Sequence, residues 1–284
     1  MDIAALRQLG QLIGSWASEQ ELGRYDSMVA KREAFRDIDD RTEDLRDLAN
    51  AHPNIWCDFV AQFEYSWIYH ENALEGIVLT HAEVTSALRG RPIAPDTYRD
   101  IRNMKVAVDL ARKEAIDGPR VDMALLRRFH SAFGSDNPDY EPARYRKDIP
   151  LHRAYFHEIA QPTVIPTRIN DLLEWSANND PDDDDDAVRF AAHFHHEFMS
   201  IFPFAEHTGK TGRLVVNYIL MRHGYLPVLF HATERQRYYD TLRLSKKETE
   251  QFLIEMMNNT VDNGVRYIRG VLEEQKKRSF RRVG

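Results

Sequence analysis

The sequence contains one cysteine, Cys57, and has no run of apolar residues long enough to cross a membrane. One cysteine excludes an internal disulfide and fits a reducing compartment, so we expect a cytoplasmic protein. A membrane-spanning helix needs about 20 consecutive apolar residues, so we expect no membrane partner. The first residues, MDIAALRQLG, lack the basic stretch with which a secretory signal begins, so we expect no signal peptide.

Basic charge is also scarce in this chain. The sequence has 38 Lys and Arg residues against 45 Asp and Glu residues, which gives a formal net charge of −7. A general nucleic-acid binder needs an excess of basic charge for the phosphates, so we expect no nucleic-acid partner. Hydrophobic residues make up 43% of the 284 residues, which is enough for the core of one large domain with an extension.

The most informative feature is a polar break between two apolar helical patterns. Before the break, Phe190, Phe194 and Phe198 recur at every fourth position, which predicts a helix with one apolar face. After the break, residues 214 to 221 are almost wholly apolar, which predicts a helix buried in the middle of a domain. The two helices therefore direct the break between them, which holds residues 206 to 211 and Arg213, to one place.

The chemistry of the polar break favours an anion. It opens onto a helix N-terminus, where backbone N–H groups and the helix dipole attract negative charge. Lys210 and Arg213 add positive charge, and the Glu206 carboxylate is suited to a divalent cation such as Mg²⁺. A charged loop without a ligand is the simpler alternative. A phosphate loop of the Gly-x-x-x-x-Gly-Lys-Thr type is excluded, because Phe204 stands where its first glycine belongs.

The segment resembles the signature of the Fic family, His-Pro-Phe-x-Asp/Glu-Gly-Asn-Gly-Arg-x-x-Arg. Residues 202 to 213, here called the signature segment, read FPFAEHTGKTGR. The Pro, the Phe, the acid, one Gly and the final Arg match the family pattern. Phe202 replaces the family's catalytic His, His207 and Thr208 replace its Gly-Asn pair, and Lys210 replaces its first Arg.

The resemblance implies a protein that binds ATP, or another nucleotide, with Mg²⁺ and transfers AMP to a hydroxyl side chain of a target protein. Glu206 is then the metal ligand. The implied phosphate-binding residues are Thr208, Gly209, Lys210, Thr211, Gly212 and Arg213. Because β-branched Thr208 resists the positive φ that the family's Gly-Asn pair tolerates, we expect a reshaped backbone there.

Two classes of function remain open at this stage. Phe202 cannot accept a proton, so ordinary AMP transfer is expected to be weak or absent. The first class is altered transferase chemistry on a phosphate-containing substrate, with His207 as the replacement base because its pKa range suits that role. The second class is a catalytically inactive, nucleotide-binding regulator or interaction protein.

An upstream motif, residues 71 to 76, reads ENALEG. Alone, its Leu-Glu-Gly predicts a helix that ends at a glycine. Beside the signature segment it resembles the family's inhibitory motif, Ser/Thr-x-x-x-Glu-Gly/Asn, with Glu75 and Gly76 matching and Glu71 in the place of Ser or Thr. The resemblance implies that Glu75 pairs with Arg213 and prevents productive binding of the γ-phosphate. Removal of Glu75 is therefore expected to tighten nucleotide binding.

The resemblance also predicts a mostly α fold with one short β-hairpin near residues 145 to 160. In the family this flap holds a segment of the target protein. The basic residues before it, Arg144, Arg146 and Lys147, are interpreted either as solvent-exposed surface or as part of that docking site.

The chain is expected to divide into three parts. Residues 1 to 64 form an N-terminal helical extension, and residues 65 to 265 form the Fic-like domain. Residues 266 to 284 form the end of the last helix and a basic tail. A second copy of the chain, in a homodimer, is kept as a further candidate partner.

Overall fold

The structure is a computed structural model. It describes residues 38–91, 94–134, 137, 139–150, 158–181 and 187–283. The chain divides into two units, Met1–Arg41 and Thr42–Gly284. Of the first unit the structure describes residues 38 to 41, which are helical.

The second unit consists mostly of α-helices, which confirms the predicted fold class. Residues 42 to 51 are helical. The helices that follow are α1 (Pro53–Leu74), α2 (His81–Leu88), α3 (Pro95–Asp117), α4 (Met123–Ala132), α5 (Ile165–Asn179), α6 (Ala187–Ile201), α7 (Thr208–Arg222), α8 (Arg235–Leu244) and α9 (Lys246–Val283). Short 3₁₀ helices, Pro162–Val164 and Ala232–Glu234, precede α5 and α8. Among the helices that the structure describes, none is both long and apolar enough to cross a membrane.

Helix α7 lies at the centre of the second unit. Its side chains are buried from Thr208 to Leu220, as the apolar pattern predicted. It packs most extensively against α3 and α6. At Gly212 the approach of α6 is so close that an added Cβ would lie 3.1 Å from the sulfur of Met199. The signature segment therefore connects two helices of the core.

The hairpin near residues 145 to 160 stays a prediction, because residues 151 to 157 lie outside the described residues. In the described part, Tyr145 forms an antiparallel bridge with Phe204. Backbone N–H···O bonds of 3.0 and 2.9 Å flank this bridge. The segment that leads into the predicted flap is thus paired with the signature segment.

The predicted three-part division also stays a prediction. Helix α1 runs through residue 64 and α9 runs through residue 265, so both predicted boundaries lie within a helix rather than in a loop.

Candidate functional site

The signature segment turns through two non-glycine residues with a left-handed backbone, Phe202 at φ 48° and His207 at φ 52°. A reshaped backbone was expected at Thr208. Thr208 begins α7, and its hydroxyl accepts a hydrogen bond from the Phe204 N–H at 2.9 Å. His207 takes the left-handed conformation instead. Histidine is enriched in that region whereas a β-branched residue is disfavoured, which explains why the turn falls one residue earlier.

Arg146 is a buried anchor of this turn, with 5% of its surface exposed. Its Nε donates to the carbonyl oxygen of Phe202 at 2.7 Å, and its Nη2 donates to that of Ile201 at 3.1 Å. Further bonds reach the carbonyl oxygens of Asp148 and Ala160. The interpretation of Arg146 as exposed or target-docking surface was wrong, because its guanidinium satisfies four buried or partly buried carbonyl groups.

His130 of α4 is a second anchor, with 2% of its surface exposed. Its Nε2 lies 3.0 Å from the carbonyl oxygen of Glu206, and its Nδ1 accepts the Ala143 N–H at 3.1 Å. The hydroxyl of Tyr140 lies 2.6 Å from the same Nδ1. This pattern fits a neutral ring with the proton on Nε2. Sequence reasoning missed His130, because a histidine in an amphipathic helix gives no sign of a partner 76 residues away.

The two cations of the signature segment are buried and face α1. Lys210 is 3% exposed, and its Nζ donates to Asn72 Oδ1 at 2.7 Å. Arg213 is fully buried and donates from Nε to Glu71 Oε2 and from Nη2 to Glu75 Oε1, each at 2.8 Å. The predicted pair of Glu75 with Arg213 is therefore present in the fold. Its inhibitory role stays a prediction.

Glu71 and Asn72 were not predicted as partners of the two cations. A signal for Glu71 was available, because it precedes Glu75 by four residues and such residues share one helix face. Gly76, at φ 88°, ends α1 as predicted and leaves Glu75 at the helix cap. The side chain of Glu75 is 23% exposed, whereas that of Glu71 is 2% exposed.

The charges of this buried group depend on one another. Burial alone would lower the pKa of Arg213, but the carboxylates of Glu71 and Glu75 raise it well above its ordinary value. Burial raises the pKa of Glu71, and Arg213 opposes that shift. Burial also lowers the pKa of Lys210. A guanidinium does not give up its proton in proteins, and Glu71 accepts the Arg213 Nε–H at 2.8 Å, so we take the pair as ionised at neutral pH.

Glu206, the predicted metal ligand, is exposed. It lies at the edge of a cavity of about 50 Å³ that is also lined by His130, Tyr140 and Arg144. In the part of the chain that the structure describes, no group of three or more His, Cys, Asp or Glu side chains could hold a metal ion. One carboxylate fits Mg²⁺ only where substrate phosphates and water supply the other ligands.

His207, the predicted replacement base, is partly buried among aromatic rings. Its ring centre lies 5.6 Å from that of Phe133 and 6.0 Å from that of Tyr140. Burial, followed by the charge of Lys210, lowers the pKa of His207 to about 4. At neutral pH the ring is uncharged and can accept a proton, although its basicity is well below that of an ordinary histidine.

Three histidines of this unit are expected to titrate at low pH. Burial lowers the pKa values of His70, His130 and His207 from 6.5 to about 4. Because the folded-state pKa lies below the unfolded one, their stabilising contribution is full above pH 6.5 and is lost as the pH falls toward about 4. Proton NMR of the ring hydrogens measures this directly. Midpoints near pH 6.5 for these three rings would show that water reaches them.

Comparison with known proteins agrees with this geometry. Residues 120–220 match the model of the Fic/DOC family. The chain is 27% identical over 235 residues to the protein adenylyltransferase Fic of Drosophila willistoni, and 28% identical over 233 residues to that of Drosophila melanogaster. Each alignment covers 79% of this chain and 43% or 44% of the relative. The chain therefore spans less than half the length of these relatives.

Solved structures show the same fold. Fic-1 (residues 134–508) from Caenorhabditis elegans aligns with a TM-score of 0.71 at 17% identity, over 90% of this chain and 79% of that one. A Fic-domain-containing signalling protein from Bacteroides thetaiotaomicron aligns with a TM-score of 0.70 at 18% identity, over 84% of this chain and 97% of that one. The family resemblance carried by the signature segment is thus confirmed.

Proposed function

We propose that this Fic-fold chain, a relative of proteins named adenylyltransferases, binds a nucleotide at the first turns of α7 and is held there in a closed state. ATP with Mg²⁺ is the first candidate ligand. The observation that supports this proposal is the placement of two buried cations, Lys210 and Arg213, beside the N-terminus of a buried helix. Such a helix end attracts anions, and two cations add to that attraction.

The geometry also indicates how each phosphate contact would be made. The N–H groups of residues 208 to 210 lie in the first turn of α7, before the hydrogen bond from Thr211 N–H to the His207 carbonyl oxygen at 2.9 Å, so they are placed to donate to an anion. Lys210 would act as a point charge, and Arg213 as a two-pronged donor. In the closed state both side chains are instead engaged by α1.

Glu206 is the residue of the signature segment that would hold Mg²⁺. Its side chain is exposed, and His130 fixes its carbonyl group, so the carboxylate is presented to solvent from an anchored backbone. A bound Mg²⁺ would neutralise charge on the phosphates. Without the ion, the Glu206 carboxylate would repel the same phosphates and weaken their binding.

AMP transfer by the family's ordinary route is expected to be weak, because Phe202 offers no proton acceptor. We therefore propose a regulator that binds a nucleotide and contacts a target protein near residues 145 to 160. We propose a protein as the target because the Drosophila relatives are named protein adenylyltransferase.

Altered transferase chemistry with His207 as the base is the second candidate. The observation that favours it is an uncharged imidazole directly before the first turn of α7 and next to Glu206. A base with a pKa of about 4 accepts a proton poorly from a hydroxyl group at neutral pH. Nucleotide binding without strong transfer is therefore the function that the geometry supports better.

Calorimetry with ATP and Mg²⁺ tests nucleotide binding. We expect a dissociation constant between about 1 μM and 1 mM, which corresponds to roughly 4 to 8 kcal/mol. Lys210→Ala should weaken binding by about tenfold or more, because it removes one of the two cations beside the helix end. Lys105→Ala, which removes a lysine paired with Asp109 and Glu64 rather than with Asn72, is the control and should leave the affinity unchanged. If ATP gives no heat of binding with wild type, with Lys210→Ala or with variants in which Glu71 and Glu75 no longer hold Arg213, the nucleotide proposal is wrong.

A further inference from the structure

We infer that Glu71 is a second inhibitory carboxylate, stronger than Glu75, so that the nucleotide site opens only when both carboxylates release Arg213. This inference rests on the proposed function, since it concerns the regulation of the same site. The family pattern has Ser or Thr at position 71, and neither can neutralise a guanidinium. The present chain therefore differs from the pattern in how firmly Arg213 is held.

Burial distinguishes the two carboxylates. Both lie 2.8 Å from Arg213, but the side chain of Glu71 is 2% exposed and that of Glu75 is 23% exposed. When Glu75 separates from Arg213, its carboxylate can turn toward water. When Glu71 separates from Arg213, its charge stays buried without its main partner, so its release costs far more free energy than the release of Glu75. Release of Glu71 is therefore the harder of the two steps.

Position along α1 points the same way. Glu75 is the cap residue of the helix, followed directly by Gly76, and helix ends fray. Glu71 lies one turn inside the helix, next to Asn72, which holds Lys210. Fraying at the cap would therefore release Glu75 first, because Glu71 and Asn72 still lie within the helix, which ends at Leu74. Opening the whole site requires α1 itself to move away from α7.

Neutralisation is the third argument. After removal of Glu75, the buried pair of Glu71 and Arg213 still has no net charge, and its guanidinium offers little attraction to a phosphate. A ligand would have to displace Glu71 from the Nε of Arg213. After removal of both carboxylates, buried Arg213 has lost both of its ion-pair partners, and an anion becomes the most favourable partner.

Titration calorimetry with ATP and Mg²⁺ on Glu75→Gln, Glu71→Gln and the double variant tests this inference. The motif alone predicted tighter binding on removal of Glu75, but Glu71 also holds Arg213, so Glu75→Gln alone should bind within about twofold of wild type. The double variant should bind tighter by about tenfold or more, within the usual range of coupling between sites. Glu64→Gln is the matched control, because Glu64 also lies on α1 and pairs with Lys105 and Arg112, not with Arg213. Glu71→Ser, the residue type of the family pattern, replaces Glu71→Gln if the latter does not fold by circular dichroism.

The outcomes separate this inference from the proposed function. A larger gain in Glu71→Gln than in Glu75→Gln, with the largest gain in the double variant, supports Glu71 as the stronger carboxylate. If Glu75→Gln alone reproduces the full gain, the inference is overturned and the proposed function stands. If the folded double variant does not bind ATP, the proposed function fails, and the inference fails with it.

Discussion

Replacement of Arg213 by alanine is expected to lower the free energy of unfolding by about 3 to 5 kcal/mol at neutral pH. Arg213 is fully buried, and its removal leaves the carboxylates of Glu71 and Glu75 beside each other without their counter-charge. A buried ion pair adds little net stability as a pair, but an uncompensated buried charge is strongly unfavourable. Urea unfolding followed by circular dichroism measures the loss.

Arg237→Ala is the matched control for this prediction. Arg237 also contacts two carboxylates, Glu234 at 3.4 Å and Glu255 at 2.8 Å, but about half of its side chain is exposed. An exposed pair of this kind contributes roughly 0 to 1 kcal/mol. Equal losses in the two variants would mean that water reaches Arg213 and that the pair is not truly buried.

The cost of losing Arg213 should also depend on pH. Burial already raises the pKa of Glu71, and without the opposing guanidinium it stays above that of the unfolded chain, so the folded variant takes up a proton more readily. Its stability deficit should therefore shrink as the pH falls and grow as the pH rises. A deficit that is independent of pH would show that lost packing, not unpaired charge, is the cause.

Phe202→His is expected to raise AMP transfer by about 10²- to 10⁴-fold, the usual contribution of a general base. The effect should be measured in a background with Glu71→Ser and Glu75→Gly, in which Arg213 is free to bind phosphate. Position 202 suits histidine, because its backbone has φ 48°, a region that histidine adopts more readily than most residues. Arg146 holds the carbonyl group of residue 202 whichever side chain is present.

Incubation with labelled ATP and lysate proteins gives the readout for this gain. Phe202→Ala in the same background is the control, since it removes the ring without adding a proton acceptor. Equal labelling by Phe202→His and Phe202→Ala would show that the base is not residue 202. If His207→Ala then abolished this labelling, His207 would be the base.

Short-range patterns in the sequence predicted much of this site. The apolar residues after position 213 predicted the buried α7, and Leu-Glu-Gly predicted that α1 ends at Gly76. The resemblance added the pairing of Glu75 with Arg213, which lie 138 residues apart and which periodicity alone could not connect. These predictions hold because each depends on a local pattern or on a motif with fixed spacing.

The missed residues are buried polar side chains whose partners are distant in the sequence. Arg146 stands in a basic run that resembles solvent-exposed surface, yet it bonds to carbonyl groups up to 56 residues away. His130 and Asn72 likewise bind partners across the fold. Hydrophobic periodicity indicates which face of a helix is buried, but not that a polar side chain on that face will meet a matching donor or acceptor.

The carbonyl groups that Arg146 binds lie at both ends of one stretch of chain. Asp148 precedes the stretch, Ala160 follows it, and the same guanidinium also binds Ile201 and Phe202. One guanidinium therefore holds the described residues at both ends of this stretch. The entropy cost of lengthening a chain segment whose two ends are held together grows only logarithmically, by about 0.6 kcal/mol for each doubling of its length. Insertions between Asp148 and Ala160 are accordingly expected to leave the turn at Phe202 unchanged, because Arg146 holds that turn from outside the insertion.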